Sequence, residues 1–369
     1  MKTILLVIGT RPEAVKMCPL VAELKKRPDR VRALVCVTGQ HRGLLDPILR
    51  AFSVVPDYSL GAGQPGQSLA ALTSAVLGGF DGVLAEARPD LVLVHGDTTS
   101  AFAAALAAFY RRIPVGHVEA GMRTYDIGAP FPEELNRLAV DGMSRLFFAP
   151  TEHCRAALLR EGRPADAIFV TGNTVIDALK TTVRADFTHP ALEGLGGRRL
   201  ILLTAHRREN LGPPMERVFR AVRRVTEAFP DVLVLYPVHP NPAVRKAAEA
   251  AFGGCEGVHL TEPLDVIDFH NILARAHLVL TDSGGLQEEA PALRKPVIVL
   301  RDVTERPEGV AAGGLLLAGT DENAVFDACR TLLTDAEAYD RMARAENPYG
   351  DGTAAKKIAE LVLREDMAY

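Results

Sequence analysis

Tryptophan is absent from this 369-residue chain, and cysteine is scarce. The five cysteines, Cys18, Cys36, Cys154, Cys255 and Cys329, are scattered and odd in number. No CxxC or Cys/His spacing occurs, which argues against structural zinc and for a reducing compartment. An excess of positive charge is also missing: the net charge is −4 with 24% charged residues, so a basic nucleic-acid footprint is not expected. The opening run Lys2 to Ile8 is too short for a secretory signal, and Arg11-Pro12-Glu13 stands where small residues should mark cleavage. It reads as a buried first strand. No apolar stretch looks long and uninterrupted enough to span a membrane, so a cytoplasmic protein is expected. Neither GxGxxG nor GxxxxGK[ST] occurs, so neither the usual dinucleotide fingerprint nor a P-loop is present.

What is present is a long, apolar, regularly alternating chain. Apolar residues make up 48%, enough for a sizeable core in each of two moderate domains. Strands are expected at 3–8, 32–37, 91–95, 113–118, 145–149 and 167–171, then at 199–204, 232–237, 257–261, 277–281, 296–300 and 314–318. Helical periodicity lies between them, for example Ala14, Met17, Cys18, Val21 and Leu24, or Val218, Val222, Val225 and Phe229. The alternation predicts α/β architecture with two doubly wound, Rossmann-like parallel sheets, and a single barrel as the rival. The polar stretch 184–198 reads as an interdomain crossing, and a last helix from about 353 has no strand after it.

In such sheets ligands bind beyond the carboxyl ends of the strands. The first strand runs into Gly9-Thr10-Arg11-Pro12-Glu13 and Lys16, where Arg11 and Lys16 can meet an anion at a helix start, or simply be solvated. Asp97 follows the strand at 91–95; it can be a helix cap or a functional carboxylate, and Gly96 lets the backbone turn close to a ligand. His117 and Glu119 end the next strand, and Glu133 and Glu134 open a helix whose dipole they complement. Asp97, Glu119 and Glu133 together at one sheet edge suit general acid/base work. In the second half, His206 with Arg207 and Arg208 suits a phosphate, and His239 and Asn241 hold the equivalent place one strand on. The most specific element is Thr281-Asp282-Ser283-Gly284-Gly285. It runs strand, turn and helix, so free amides at Ser283, Gly284 and Gly285 would cradle an anion. Glu288 or Glu289 would take ribose hydroxyls, and Arg306 would clamp a diphosphate.

These blocks together resemble the non-hydrolysing UDP-N-acetylglucosamine 2-epimerases. The resemblance is carried by GTRPEAVKM at 9–17, TGQHR at 38–42, VHGDTTSA at 94–101, HVEAGMRT at 117–124, FPEELNR at 131–137, TGNTVIDAL at 171–179, TAHRREN at 204–210, TDSGGLQEEAP at 281–291, RDVTERPE at 301–308 and NPYGDG at 347–352. It implies a GT-B fold, two Rossmann-like domains facing across a cleft. One would be 1–172 joined by the helix 353–369, the other a UDP-binding domain at 173–352. It also implies reversible conversion of UDP-GlcNAc to UDP-ManNAc for cell-surface polysaccharide biosynthesis, by UDP elimination to a 2-acetamidoglucal and re-addition. A homodimer with no cofactor and no metal is implied. Carried over position by position, Asp97, Glu119, Glu133 and His206 are catalytic. Arg11, Lys16, Arg207, His239, Ser283, Gly284, Gly285, Glu289 and Arg306 bind substrate. Gln40 and His41 match contacts to a second, activating UDP-GlcNAc in some members, although Gly43 and Gly66 stand where larger polar or basic residues are expected. The rivals are a hydrolysing 2-epimerase giving ManNAc and UDP, a GT-B glycosyltransferase, and a nucleotide-sugar-binding regulator without turnover.

Overall fold

The structure is a computed structural model that describes residues 1–40 and 45–364. It divides into two compact units, Met1–Thr181 with Tyr349–Tyr369, and Thr182–Pro348.

The first unit holds seven strands: β1 (Lys2–Ile8), β2 (Val31–Val37), β3 (Tyr58–Ser59), β4 (Leu91–His95), β5 (Val115–Val118), β6 (Leu146–Ala149) and β7 (Ile168–Val170). The second holds β8 (Arg199–Thr204), β9 (Val232–Pro237), β10 (Val258–Thr261), β11 (Leu278–Thr281), β12 (Val297–Val299) and β13 (Leu315–Leu317). Every pairing in both sheets is parallel. The central strands are runs of Val, Ile and Leu buried on both faces, as helices on both sides of a parallel sheet require. The orders are β3-β2-β1-β4-β5-β6-β7 and β10-β9-β8-β11-β12-β13, so the barrel is excluded. In each sheet the winding direction reverses once, between β1 and β4 and between β8 and β11, and that is where ligand crevices open in such sheets.

The structure departs from the sequence reading at four points. Strand β3 escapes sequence reading because its two residues carry no periodic signal. Tertiary contact makes it: Tyr58 pairs with Cys36, and the Asp57 carboxylate accepts the Val35 amide at 2.8 Å. The division between units falls after Thr181 rather than after 172. The helix Thr174–Thr182 stays with the first unit because the Asp177 carboxylate caps the final helix, accepting the amides of Ala354 and Ala355. The stretch 184–198 is accordingly no crossing: Phe187, Leu192 and Leu195 pack on the second core, and Arg275 donates to the carbonyls of Arg184, Ala185 and Phe187. Finally, one helix, Leu69–Ala87, is long and apolar enough by length and composition to cross a membrane. Its Phe80, Val83 and Leu84 are spent on the first core, beside the helix Thr99–Tyr110.

The last helix, Ala354–Val362, buries Ile358, Ala359 and Val362 within the first unit. Lys2 and Arg30 donate to the carbonyls of Arg364 and Leu363, each at 2.8 Å.

Candidate active site

In the first unit, the ends of β1, β4 and β5 and the start of one helix surround a cavity of about 420 Å³. Its wall includes Glu13, Lys16, Gln40, His95, Asp97, Glu119, Glu133 and Asn136. All three carboxylates expected to do acid/base work are therefore in one place.

Their surroundings differ. Glu119 lies just past β5 with φ +69°, a left-handed conformation that costs a non-glycine residue free energy. Its side chain is 10% exposed, and one oxygen, Oε2, takes the Lys16 ammonium, the Asn173 amide at 2.7 Å and the approach of His95 Nε2 at 3.5 Å. Burial alone would raise its pKa; Lys16 and His95 outweigh that and hold it well below the usual carboxylate range. Asp97 follows β4, pairs with Arg137, and has its carbonyl fixed by Asn136 at 2.9 Å. Glu133 opens the helix Glu133–Met143 and faces the same cavity.

A fourth carboxylate was absent from the sequence-based set. Glu13, in the first turn of the helix Arg11–Lys25, is 2% exposed and accepts the amides of Gly9 and Thr10 at 3.1 and 2.6 Å and the Thr98 hydroxyl at 2.9 Å. Burial pushes it up to about 7, against those hydrogen bonds. Gly9 is required here: a Cβ would stand 2.4 Å from Ser100. Ser100 in turn bonds Thr38 and the Gln40 side chain, so Gln40 belongs to this cavity wall. His41 lies outside the described residues.

Beneath the turn that carries Asp97, His117 is fully buried. Its Nδ1 meets Asp141 at 2.7 Å and its Nε2 meets the Gly96 carbonyl at 2.8 Å. Asp141 also pairs with Arg123, which spans to Glu161. The expected anion pair splits. Arg11 is exposed at the first helical position and does not line the cavity, while the Lys16 ammonium faces Glu119.

In the second unit, the turn after β11 has a different chemistry from a row of free amides. The Ser283 amide donates to Thr281 Oγ1 at 2.9 Å. Gly284 is packed against the Arg306 guanidinium, 3.4 Å from where a Cβ would sit. Arg306 is itself paired with Glu288 at 2.7 Å, and Glu289 faces His270 at 3.4 Å. Asp282, singled out by nothing in the sequence beyond its place at a strand end, is the anchor. It is fully buried, and its Oδ2 accepts the amides of His206 and Arg207 at 2.8 and 2.9 Å and the Asn210 side chain at 3.1 Å. The His206 ring stacks on His239 with centroids 5.2 Å apart. Burial, then the neighbouring His206, lowers His239 from its ordinary pKa. Arg207 reaches towards Glu305, which Arg301 holds at about 2 although burial would raise it. This end of the sheet thus presents two imidazoles and the guanidinium groups of Arg207, Arg301 and Arg306, several already matched by carboxylates.

Comparison with known proteins follows the same line. Residues 22–363 match the family described as UDP-N-acetylglucosamine 2-epimerase. A Bacillus subtilis UDP-N-acetylglucosamine 2-epimerase is 56% identical over 98% of this chain and 94% of its own. A crystal structure of a UDP-N-acetylglucosamine 2-epimerase, 53% identical, superposes with a TM-score of 0.92 over 100% of this chain and 98% of that one. The Neisseria meningitidis UDP-GlcNAc 2-epimerase, solved bound to UDP-GlcNAc, is 43% identical with a TM-score of 0.89, covering 98% of this chain and 99% of that one.

Proposed function

Because this chain belongs to the UDP-N-acetylglucosamine 2-epimerase family, with its two parallel-sheet α/β units of the GT-B class, we propose that it interconverts UDP-GlcNAc and UDP-ManNAc without hydrolysis. The observation that carries the reading is the meeting of Asp97, Glu119 and Glu133 in one cavity at the switch point of the first sheet. The C2 proton of the sugar is not adjacent to a ring carbonyl, so a base alone removes it with difficulty. Expelling the diphosphate at C1 supplies the electron demand: the C2–H pair becomes the C1–C2 double bond of a 2-acetamidoglucal, and the C1–O pair leaves with UDP. Re-addition with the proton delivered to the other face of C2 completes the inversion. That chemistry needs acid/base groups on both faces, which Asp97, Glu119 and Glu133 supply. It also needs a cationic seat for the diphosphate, for which His206, His239, Arg207, Arg306 and the Ser283–Gly285 turn are suited, with Glu289 for a ribose hydroxyl. Arg11 and Lys16 complete the set of substrate-binding positions. The intact Gly9-Thr10-Arg11-Pro12-Glu13 favours the non-hydrolysing reaction over its hydrolysing counterpart.

A cytoplasmic setting accords with five unpaired cysteines. A homodimer accords with the outer face of the helix Leu69–Ala87, where Gly78 and Gly82 stand in open space although glycine weakens a helix interior.

The test is incubation with UDP-GlcNAc in deuterated water, followed by proton and phosphorus NMR. UDP-ManNAc carrying deuterium at C2, with little free sugar, is the expected product. Stoichiometric UDP with free ManNAc would establish hydrolysis instead, and turnover only after adding an acceptor sugar would establish transfer.

A further inference from the structure

Two glutamates stand side by side on the helix Leu286–Ala292, and their surroundings part them. Glu288 is 1% exposed and committed to Arg306, whose guanidinium it meets at 2.7 Å. Glu289 is less enclosed. Its side chain is 15% exposed, and its Oε1 lies 3.5 Å from where a Cβ on Gly285 would stand, beside the turn that follows β11. Its other oxygen, Oε2, is met at 3.4 Å by Nε2 of His270.

His270 is 2% exposed, on the helix Val266–Arg275, next to the fully buried Asn271. A buried polar side chain costs free energy unless it is partnered, so both call for partners. Asn271 holds the chain where the second unit begins. Its Nδ2 donates to the carbonyls of Thr182 and Ile267 at 2.7 and 2.8 Å, and its Oδ1 accepts the Arg184 amide at 2.7 Å. His270 gives one nitrogen to the same purpose, with Nδ1 2.8 Å from the Thr182 hydroxyl. The other nitrogen faces Glu289. A carboxylate only accepts, so Nε2 carries a hydrogen here, and the Thr182 hydroxyl matches Nδ1 whether or not that atom is protonated. At 3.4 Å the contact to Oε2 is longer than a full hydrogen bond, which leaves that oxygen able to accept from a ligand as well.

We propose that His270 is a positioning residue that sets the Glu289 carboxylate to receive both hydroxyls of the nucleotide's ribose. The inference rests on the reading of Glu289 as a ribose acceptor and deepens it, by naming what fixes the carboxylate. The 2′ and 3′ hydroxyls are neighbouring donors, and a carboxylate matches the two with its two oxygens when its plane is held. Freezing a glutamate side chain at the moment of binding costs conformational entropy. His270, itself locked by Thr182, meets part of that cost before the ligand arrives. The chain of contacts from Thr182 through His270 to Glu289 is separate from the Arg306–Glu288 pair, so the ribose and the diphosphate can be perturbed independently.

The test is calorimetric titration of the full-length protein with UDP and with 2′-deoxy-UDP, which lacks one ribose hydroxyl. Two variants divide the ring's functions. In His270→Asn the amide stands in for Nδ1 towards Thr182 and stops short of Glu289, whereas in His270→Gln it stands in for Nε2. The wild type should bind UDP at least about tenfold more tightly than 2′-deoxy-UDP. His270→Asn should bind UDP about tenfold more weakly and 2′-deoxy-UDP within about twofold, so that the preference disappears, while His270→Gln keeps it. With UDP-GlcNAc as substrate, His270→Asn should raise KM and leave kcat within about twofold, because the ribose is remote from C1 and C2. A preference retained by His270→Asn would overturn the proposal, and so would its loss in both variants. Equal weakening of both nucleotides with a lowered melting temperature would overturn it too, since that is the mark of a merely structural histidine. A wild type that binds UDP and 2′-deoxy-UDP alike would instead remove the ribose reading of Glu289 on which the proposal stands.

Discussion

Four carboxyl groups line one wall of the first unit, and their neighbours separate their behaviour. Glu119 is pinned by a cation, Asp97 is paired with Arg137, Glu133 stands at a helix start, and Glu13 is sealed under the first turn. Divergent environments of this kind let one residue type perform several tasks. Glu13 yields a test through stability. Burial pushes its carboxyl up to about 7, above the ordinary glutamate value of 4.5, so between those values the folded chain binds the extra proton. That contribution is fully present below pH 4.5 and is lost as pH rises to about 7, a change of up to about 3 kcal/mol for that shift. Urea unfolding at pH 5 and pH 7.5 should show the wild type losing more stability than Glu13→Gln over the interval. Equal losses would mean that Glu13 is ionised throughout.

At the level of elements, the chemistry sits on turns held by main-chain hydrogen bonds to buried side chains. Glu13 holds the turn after β1, His117 the turn after β4, and Asp282 the loop after β8. Each anchor comes from a different element from the one it steadies or from the turn of a helix, so backbone strain such as that at Glu119 is carried by tertiary contacts. Asp282→Ala would leave the amides of His206 and Arg207 without their acceptor, at about 1–3 kcal/mol. Since the loop bears the His206 ring, calorimetry should find UDP bound about tenfold more weakly or worse. Unaltered affinity would detach the loop from diphosphate binding.

For the whole molecule, the two units repeat one topological idea with different side chains. Each sheet reverses its winding at a single point, and each point is surrounded by polar and charged residues. The first unit closes only when the last helix returns to it, because Asp177 and the helix Arg11–Lys25 meet residues far along the chain. Assembly is tested at the same scale. Gly78→Leu together with Gly82→Leu fills open space and replaces weak helix formers, so each single chain should be as stable as before or up to about 1–2 kcal/mol more stable. If that face joins two copies, sedimentation velocity should nevertheless show single chains. A retained dimer would place the interface elsewhere.

Composition and periodicity by themselves determined the architecture. Strands in parallel α/β sheets are buried on both faces, so β1, β4, β8, β9 and β11 read as unbroken runs of Val, Ile and Leu, and the polar residues directly after them mark the crevice. That is why Asp97, Glu119, Glu133, His206 and Ser283 could be named from spacing alone. Tertiary structure decided what spacing cannot encode. Tyr58–Ser59 is a strand only because β2 lies beside it. Lys16 faces a carboxylate, the Ser283 amide is already engaged, and Asp282, Glu13 and His95 hold or flank the groups that were visible first. The physical reason is common to all of these. Burial and hydrogen-bond pairing are properties of neighbours that lie dozens of residues apart in the chain, and they settle whether a polar residue at a strand end meets solvent, holds the backbone or carries a proton.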